Sequence, residues 1–207
     1  MRVGAGQLDR LGTGHEHAAM LVLASASPRR RELLRWLVAE YELDTAQIDE
    51  SPRPGEPPAA LVARLARAKA EAVAARRPDA WILAADTIVE IDGEILGKPA
   101  DAREAVDMLS RLAGREHRVF TGFTLLAPGG DHRSGTVESR VLFRPLDAHR
   151  IESYVATGEP LDKAGSYAIQ GRGAGLVARV DGSFTNVIGL PLGEVGAMLG
   201  EAGLLAR

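Results

Sequence analysis

Residues 80–99, AWILAADTIVEIDGEILGKP, decide how the fold is read. Ile82 to Ala85 form a short apolar run, and IVEI resumes it after the polar interruption at Asp86-Thr87. A run of that length bounded by turn residues suits a buried strand. Asp92-Gly93 then falls between alternating apolar residues, a strong local hairpin signal because both turn positions must accept positive φ. The stretch predicts a strand that folds back on itself.

Upstream, MLVLA (20–24) suits another buried strand. Ser27 is a good N-cap and Pro28 a good first helical residue, so a helix is expected from Pro28 to near Glu40. A strand near 41–48 is expected next, and the prolines and glycine of DESPRPGEPP (49–58) mark a break. From Pro58 to Arg76 the pattern is helical, with Leu61, Leu65 and Ala68 on one face. Downstream, Asp101 caps a helix over 101–112, and 116–128 and 134–143 alternate around PGGD as an antiparallel pair. Asp147 caps a helix that Gly158 stops. LVARV-DG-SFTNV (176–187) repeats the hairpin signature, and LPLGEVGAMLGEAGLLA (190–206) reads as a closing helix.

Helices and strands alternate, but hairpins are mixed in. That predicts an α/β fold with a mixed, elongated twisted sheet flanked by helices, as two lobes with a cleft between. Residues 19–207 are expected to form one domain and residues 1–18 a flexible tail, where His15 and His17 flank Glu16. The tail lacks an apolar core of signal-peptide length, and no stretch approaches a membrane span. A net charge of −3 gives no global drive toward nucleic acid or an anionic surface. The absence of cysteine excludes thiolate chemistry and fits the expected cytoplasmic location.

Several motifs are excluded outright. No G-x-x-x-x-G-K-[ST] and no G-x-S-x-G occurs, and the histidines fall in no zinc or triad spacing. QGRGAG (170–175) departs from the dinucleotide spacing and precedes a predicted strand.

What remains is a polar set with two readings at each position. SASPRRRE (25–32) puts three arginines in the first turn of a helix, where the backbone field favours acids. The turn is either a solvated basic end or an anion cradle in which Ser25, Ser27 and the arginines grip phosphate. At least one arginine must face away from any site, and Arg31 is expected to face solvent. Asp86 is a carboxylate inside a buried strand, costly unless paired, hydrogen-bonded or metal-bound. It is either a structural cap or ion pair, or a metal ligand or general base for a water. Glu50 is either its partner carboxylate or a solvated loop acid. Lys69, Lys98 and Lys163 are the chain's only lysines. Each is either an ordinary surface lysine or a partner for phosphate. Together these groups suit metal-assisted cleavage of a phosphate-bearing small molecule.

The stretches LASASPRRRELL, RLARAKA, AADTIVEIDGEILGKP, TGFTLL, EPLDKAGSYAIQGRGA and DGSFTNVIGLPL resemble, in order, those of the Maf family of nucleotide pyrophosphatases, relatives of the inosine triphosphate pyrophosphatases. The resemblance runs from about residue 20 to 205, with small departures such as Phe184 where many members have tyrosine. It implies a hydrolase that cuts nucleoside triphosphates between the α and β phosphates, using a divalent cation (Mg²⁺, Mn²⁺ or Co²⁺). By that resemblance Asp86 is the proton acceptor and Glu50 its companion carboxylate. The motif lysines fall on Lys69, Lys98 and Lys163, and Ser25 and Arg30 belong to the phosphate cradle. Members acting on dTTP and UTP carry the residues found here as Arg29, Thr87 and Gln170, so that subgroup is the expected one. The subgroup resembling 7-methyl-GTP pyrophosphatases usually departs there. Two rival readings accompany it: a nucleotide-binding regulator of septation with incidental hydrolysis, and an enzyme for modified pyrimidine nucleotides. The partner expected is a nucleoside triphosphate, without nucleic acid or membrane, and a homodimer enters by analogy.

Overall fold

In the computed structural model, residues 20–205 are described, and the tail expected over 1–18 lies outside them. The elements in order are β1 (Leu21–Leu23), α1 (Pro28–Leu34), β2 (Glu42–Leu43), α2 (Pro58–Ala74), β3 (Trp81–Ile91), β4 (Glu94–Leu96) and α3 (Ala102–Leu112). Then come β5 (Glu116–Leu126), β6 (His132–Phe143), α4 (Ala148–Val155), β7 (Val177–Asp181), α5 (Phe184–Ile188) and α6 (Leu192–Glu201). Short 3-10 segments cover Glu159–Asp162, Ala164–Ser166 and Gly171–Leu176.

The quoted stretch forms β3 and β4, joined at Asp92-Gly93, both at positive φ. All the strands share one mixed sheet in the order β2-β1-β3-β5-β6-β7, with β4 also on β3. β1 runs parallel to β2 and β3, and the remaining pairs are antiparallel. The expected mixed α/β sheet flanked by helices is what forms.

The two edges of β3 are treated differently. β5 follows one edge continuously from Ile82 to Glu90. The other edge is shared: β1 accompanies it as far as Leu23 opposite Leu83, and β4 begins at Leu96 opposite Val89. Between these, at Asp86 and Thr87, no strand of the described residues lies alongside. The sheet has a gap at its centre.

Alternation along β3 sorts its side chains between two faces. Ile82 and Ala84 pack with Ala70 and Val73 of α2, and Ile88 with Leu61 and Leu65 of the same helix. Leu83 and Ala85 join the core under α1 and α6, whereas Val89 and Ile91 join the one under α3 and α4. Asp86 therefore shares the α2 face, and Thr87 the opposite one. Gly122 of β5 is the register partner of Asp86, and α2 crosses the sheet so closely there that a Cβ on it would lie 2.3 Å from the Val62 carbonyl oxygen.

Local expectations needed correction in three places. SFTNV is not the second strand of a hairpin. Gly182 turns the chain, Ser183 Oγ caps Asn186 N–H at 3.2 Å, and α5 follows. The fully buried Asn186 donates to Val119 O and Ser139 Oγ, so tertiary bonds outweigh the β-propensity of the run. α1 ends at Leu34, where Trp36 N–H and Leu37 N–H bond three residues back and tighten the turn. The strand expected over 41–48 reduces to Glu42–Leu43.

Candidate active site

A cleft of about 760 Å³ opens at the gap in the sheet. On its α2 side stands Asp86, 6% exposed. Lys69 lies one turn beyond Leu65 on α2, so the buried stripe of that helix carries its ammonium to the gap. Lys69 Nζ donates to Asp86 Oδ1 at 2.6 Å and pairs with Glu50 Oε1 at 2.8 Å. One cation thus joins the two carboxylates singled out from the sequence.

Glu50 sits on a loop that is itself fastened. Arg64 of α2 grips both oxygens of Glu56, at 2.6 and 2.7 Å, and donates to Ser51 O at 3.1 Å. Arg53 N–H closes the turn onto Glu56 at 3.0 Å. The Arg64 hydrogen bonds hold the Glu56 carboxyl down at about 2.

On the opposite face, Arg30 is fixed by three acceptors. Its Nε donates to Gly189 O at 2.8 Å, Nη2 to Thr87 Oγ1 at 2.9 Å and Nη1 to Ser25 Oγ at 3.4 Å. Burial lowers its pKa and the Asp86 charge opposes that shift. Thr87 Oγ1 also lies 2.9 Å from Thr121 Oγ1, which donates to Asn186 O at 3.1 Å. Thr87 therefore links the arginine to the sheet. Ser27 Oγ caps α1 through Arg30 N–H at 3.4 Å. That helix is only seven residues long, so its dipole adds little to the charge of the arginines at this end.

Arg29, Lys98 and Lys163 line the same cleft. Lys98, exposed beyond β4, is in no ion pair among the described residues, whereas Lys163 Nζ donates to Glu159 O and Asp162 Oδ1, both at 2.5 Å. Gln170 is not among the lining residues. It occupies a bend just before the 3-10 segment Gly171–Leu176. Arg31 is outside the cleft too, half-buried in a shallow surface depression with Glu32, Arg35 and Tyr41.

The cleft also contains residues that sequence reasoning passed over. Asp162 stands beside Lys163 in the sequence, a pairing visible in LDKAG but read only for its lysine. Tyr167 lines the cleft too, and Gly189 supplies the carbonyl that fixes Arg30. The Gly189 contact had no sequence signal, because it depends on a helix that was read as a strand.

No group of three or more histidine or acidic side chains gathers among the described residues. The donor set is thus two carboxylates, Glu50 and Asp86, converging on one cationic atom. That fits a hard divalent cation of the magnesium type, which binds through one or two carboxylates and completes its shell with water and substrate phosphate. The arrangement places carboxylates and cationic groups around one cleft of about 760 Å³.

A family model described as Maf-like protein matches residues 20–202. A relative from Myxococcus xanthus, named dTTP/UTP pyrophosphatase, is 56% identical over 185 residues, covering 89% of this chain and 93% of its own. A second of the same name, from Geobacter metallireducens, is 52% identical over 176 residues, covering 84% and 92%. Among solved structures, the Ham1 protein of Staphylococcus aureus shares the fold with a TM-score of 0.53 at 12% identity, covering 89% of this chain and all of its own (100%).

Proposed function

Since this chain belongs to the Maf family, we propose that it is a dTTP/UTP pyrophosphatase, releasing pyrophosphate and a nucleoside monophosphate. One observation carries the mechanism: a buried aspartate beside a second carboxylate, both paired with Lys69, in a cleft that Arg29, Arg30, Lys98 and Lys163 also line. A protein that only bound triphosphate would gain nothing from added negative charge. A water-activating site needs it.

Arg30 and Lys98, with Ser25, hold the triphosphate. Three of the five guanidinium N–H groups of Arg30 are committed to Gly189, Thr87 and Ser25, leaving two for phosphate oxygens in a fixed plane. Glu50 and Asp86 hold Mg²⁺, Mn²⁺ or Co²⁺, which when bound neutralises charge developing on the phosphates. Asp86 orients and deprotonates the attacking water, and Lys69 fixes its carboxylate. Arg29 acts near the nucleoside, and Thr87 acts by positioning Arg30. Gln170, standing off the cleft lining, does not carry base choice in this reading.

The test is pyrophosphate release from a panel of canonical and modified triphosphates with each of the three metals. dTTP and UTP should lead, and chelation should abolish turnover. Preference for purine triphosphates would overturn the reading. Modified pyrimidines such as pseudo-UTP and 5-methyl-UTP belong in the same panel.

The Glu50 loop makes a separate prediction. Arg64→Ala should raise the metal concentration for half-maximal activity by about tenfold, the lower range for loss of an outer support of a ligand. Turnover at saturating metal should stay within about twofold of the parent. An unchanged metal titration would mean that the Arg64–Glu56 clasp does not position Glu50.

A further inference from the structure

The two ends of the cleft differ in chemistry. One holds Glu50, Asp86, Lys69 and Arg30. The other is walled by Val89, Leu96, Val119 and Tyr167, with Asp162 and Lys163 at its rim. Tyr167 is buried, its hydroxyl lies 2.8 Å from His117 Nε2, and its ring packs edge-on against His117 and Phe143. This wall is largely apolar. The rim is seated directly on it: Gly165 N–H donates to Gly97 O at 3.1 Å, and a Cβ on Gly165, at φ +67°, would lie 2.9 Å from Val89.

Asp162 is an anomaly in a site for a polyanion. It belongs to no cluster of acidic residues that could hold a metal. Its side chain is 72% exposed, and Lys163 occupies one carboxylate oxygen at 2.5 Å, leaving the other outside that ion pair. Burial works to raise the carboxyl, but the Lys163 hydrogen bond, aided by the charges of Lys163 and Arg29, holds it below the usual range. A carboxylate there repels phosphate and rewards a ligand group that donates a hydrogen bond.

Uracil and thymine present O2, N3–H and O4 along one edge, which reads acceptor, donor, acceptor. The complementary set reads donor, acceptor, donor, and Arg29, Asp162 and Lys163 of the cleft lining carry such groups, Asp162 and Lys163 side by side at 2.5 Å. We propose that Asp162 is a specificity residue that accepts the N3–H of a pyrimidine-2,4-dione, with Arg29 and Lys163 donating to the flanking carbonyls. The proposal rests on the reading of dTTP and UTP as substrates and names the group that selects their base. Cytosine fails because its N3 is a bare acceptor and meets the carboxylate lone pair to lone pair. The C5 position lies off the reading edge, so thymine and uracil are read alike.

A chemical cycle tests it. Wild-type protein should favour UTP over N3-methyl-UTP in kcat/KM by about 10- to 150-fold, the range for loss of a hydrogen bond to a charged acceptor. In Asp162→Ala the two substrates should differ by less than about threefold, because the coupling has lost its protein partner. Asp162→Asn, whose amide can donate to a bare N3, should raise the CTP-to-UTP ratio by about tenfold, within the range for one hydrogen bond. Equal handling of UTP and N3-methyl-UTP by wild type overturns the proposal even if the variants do not fold. So does an Asp162→Ala protein that keeps the wild-type ratio. Failure of wild type to release pyrophosphate from unmodified UTP and dTTP would instead overturn the substrate reading, and this proposal with it.

Discussion

Asp86→Asn is expected to fold normally and to lose about 10²–10⁴-fold in kcat, the usual range for removing a positioned general base. The amide keeps the volume of the carboxylate and can still accept from Lys69, whose Nζ also retains Glu50 at 2.8 Å. Lys69 keeps Glu50 as its counter-charge, so thermal unfolding should stay close to that of the parent. What is lost is the ability to take a proton and half of the carboxylate pair that suits a divalent ion. Raising the metal concentration should not restore the rate. Pyrophosphate release within tenfold of wild type would remove Asp86 from the mechanism.

Gly122→Ala should be strongly destabilising although it adds a single methyl group. The new Cβ would lie 2.3 Å from Val62 O, 2.4 Å from Val62 C and 2.7 Å from Ala63 N. All three are backbone atoms of α2, so no rotamer change relieves the contact and the helix must lift from the sheet. Overpacking of this kind costs about 1–3 kcal/mol and occasionally more when backbone has to move. At about 3 kcal/mol, a domain of this size should melt roughly 6–12 °C lower. Lifting α2 also withdraws Lys69 from Asp86, the register partner of Gly122, so turnover should fall along with stability. A melting temperature within about 2 °C of the parent would show that α2 accommodates the methyl group without cost.

The sequence made β3, its hairpin and the main helices legible because their signals are local: alternation, an Asp-Gly turn, and caps at Ser27, Asp101 and Asp147. It did not reveal that β1 and β4 share one edge of β3. Pairing between distant strands leaves no mark on either strand's own pattern, yet that sharing is what opens the cleft at Asp86. α5 departs from its sequence pattern for a related reason. Five residues rich in β-formers become helical because Asn186 is held from the sheet side by Val119 and Ser139. Asp86 stood out as a charge in an apolar run, and Arg29 to Arg31 as cations at the wrong end of a helix. Asp162 was missed because an acid beside a lysine in a loop looks like an ordinary solvated pair. Only its place on the wall of the cleft sets it apart.

The divided edge of β3 has a consequence for motion. β3 and β5 each run for eleven residues and β6 for twelve, about 36–40 Å of continuous strand passing beneath both sides of the gap. The walls of the cleft are therefore not bodies joined by a flexible tether. To narrow around a nucleotide, the molecule must bend and twist a hydrogen-bonded ribbon, with small changes spread over many dihedral angles and no single pivot. Any closure of this kind is spread along the paired strands instead of being concentrated at a hinge.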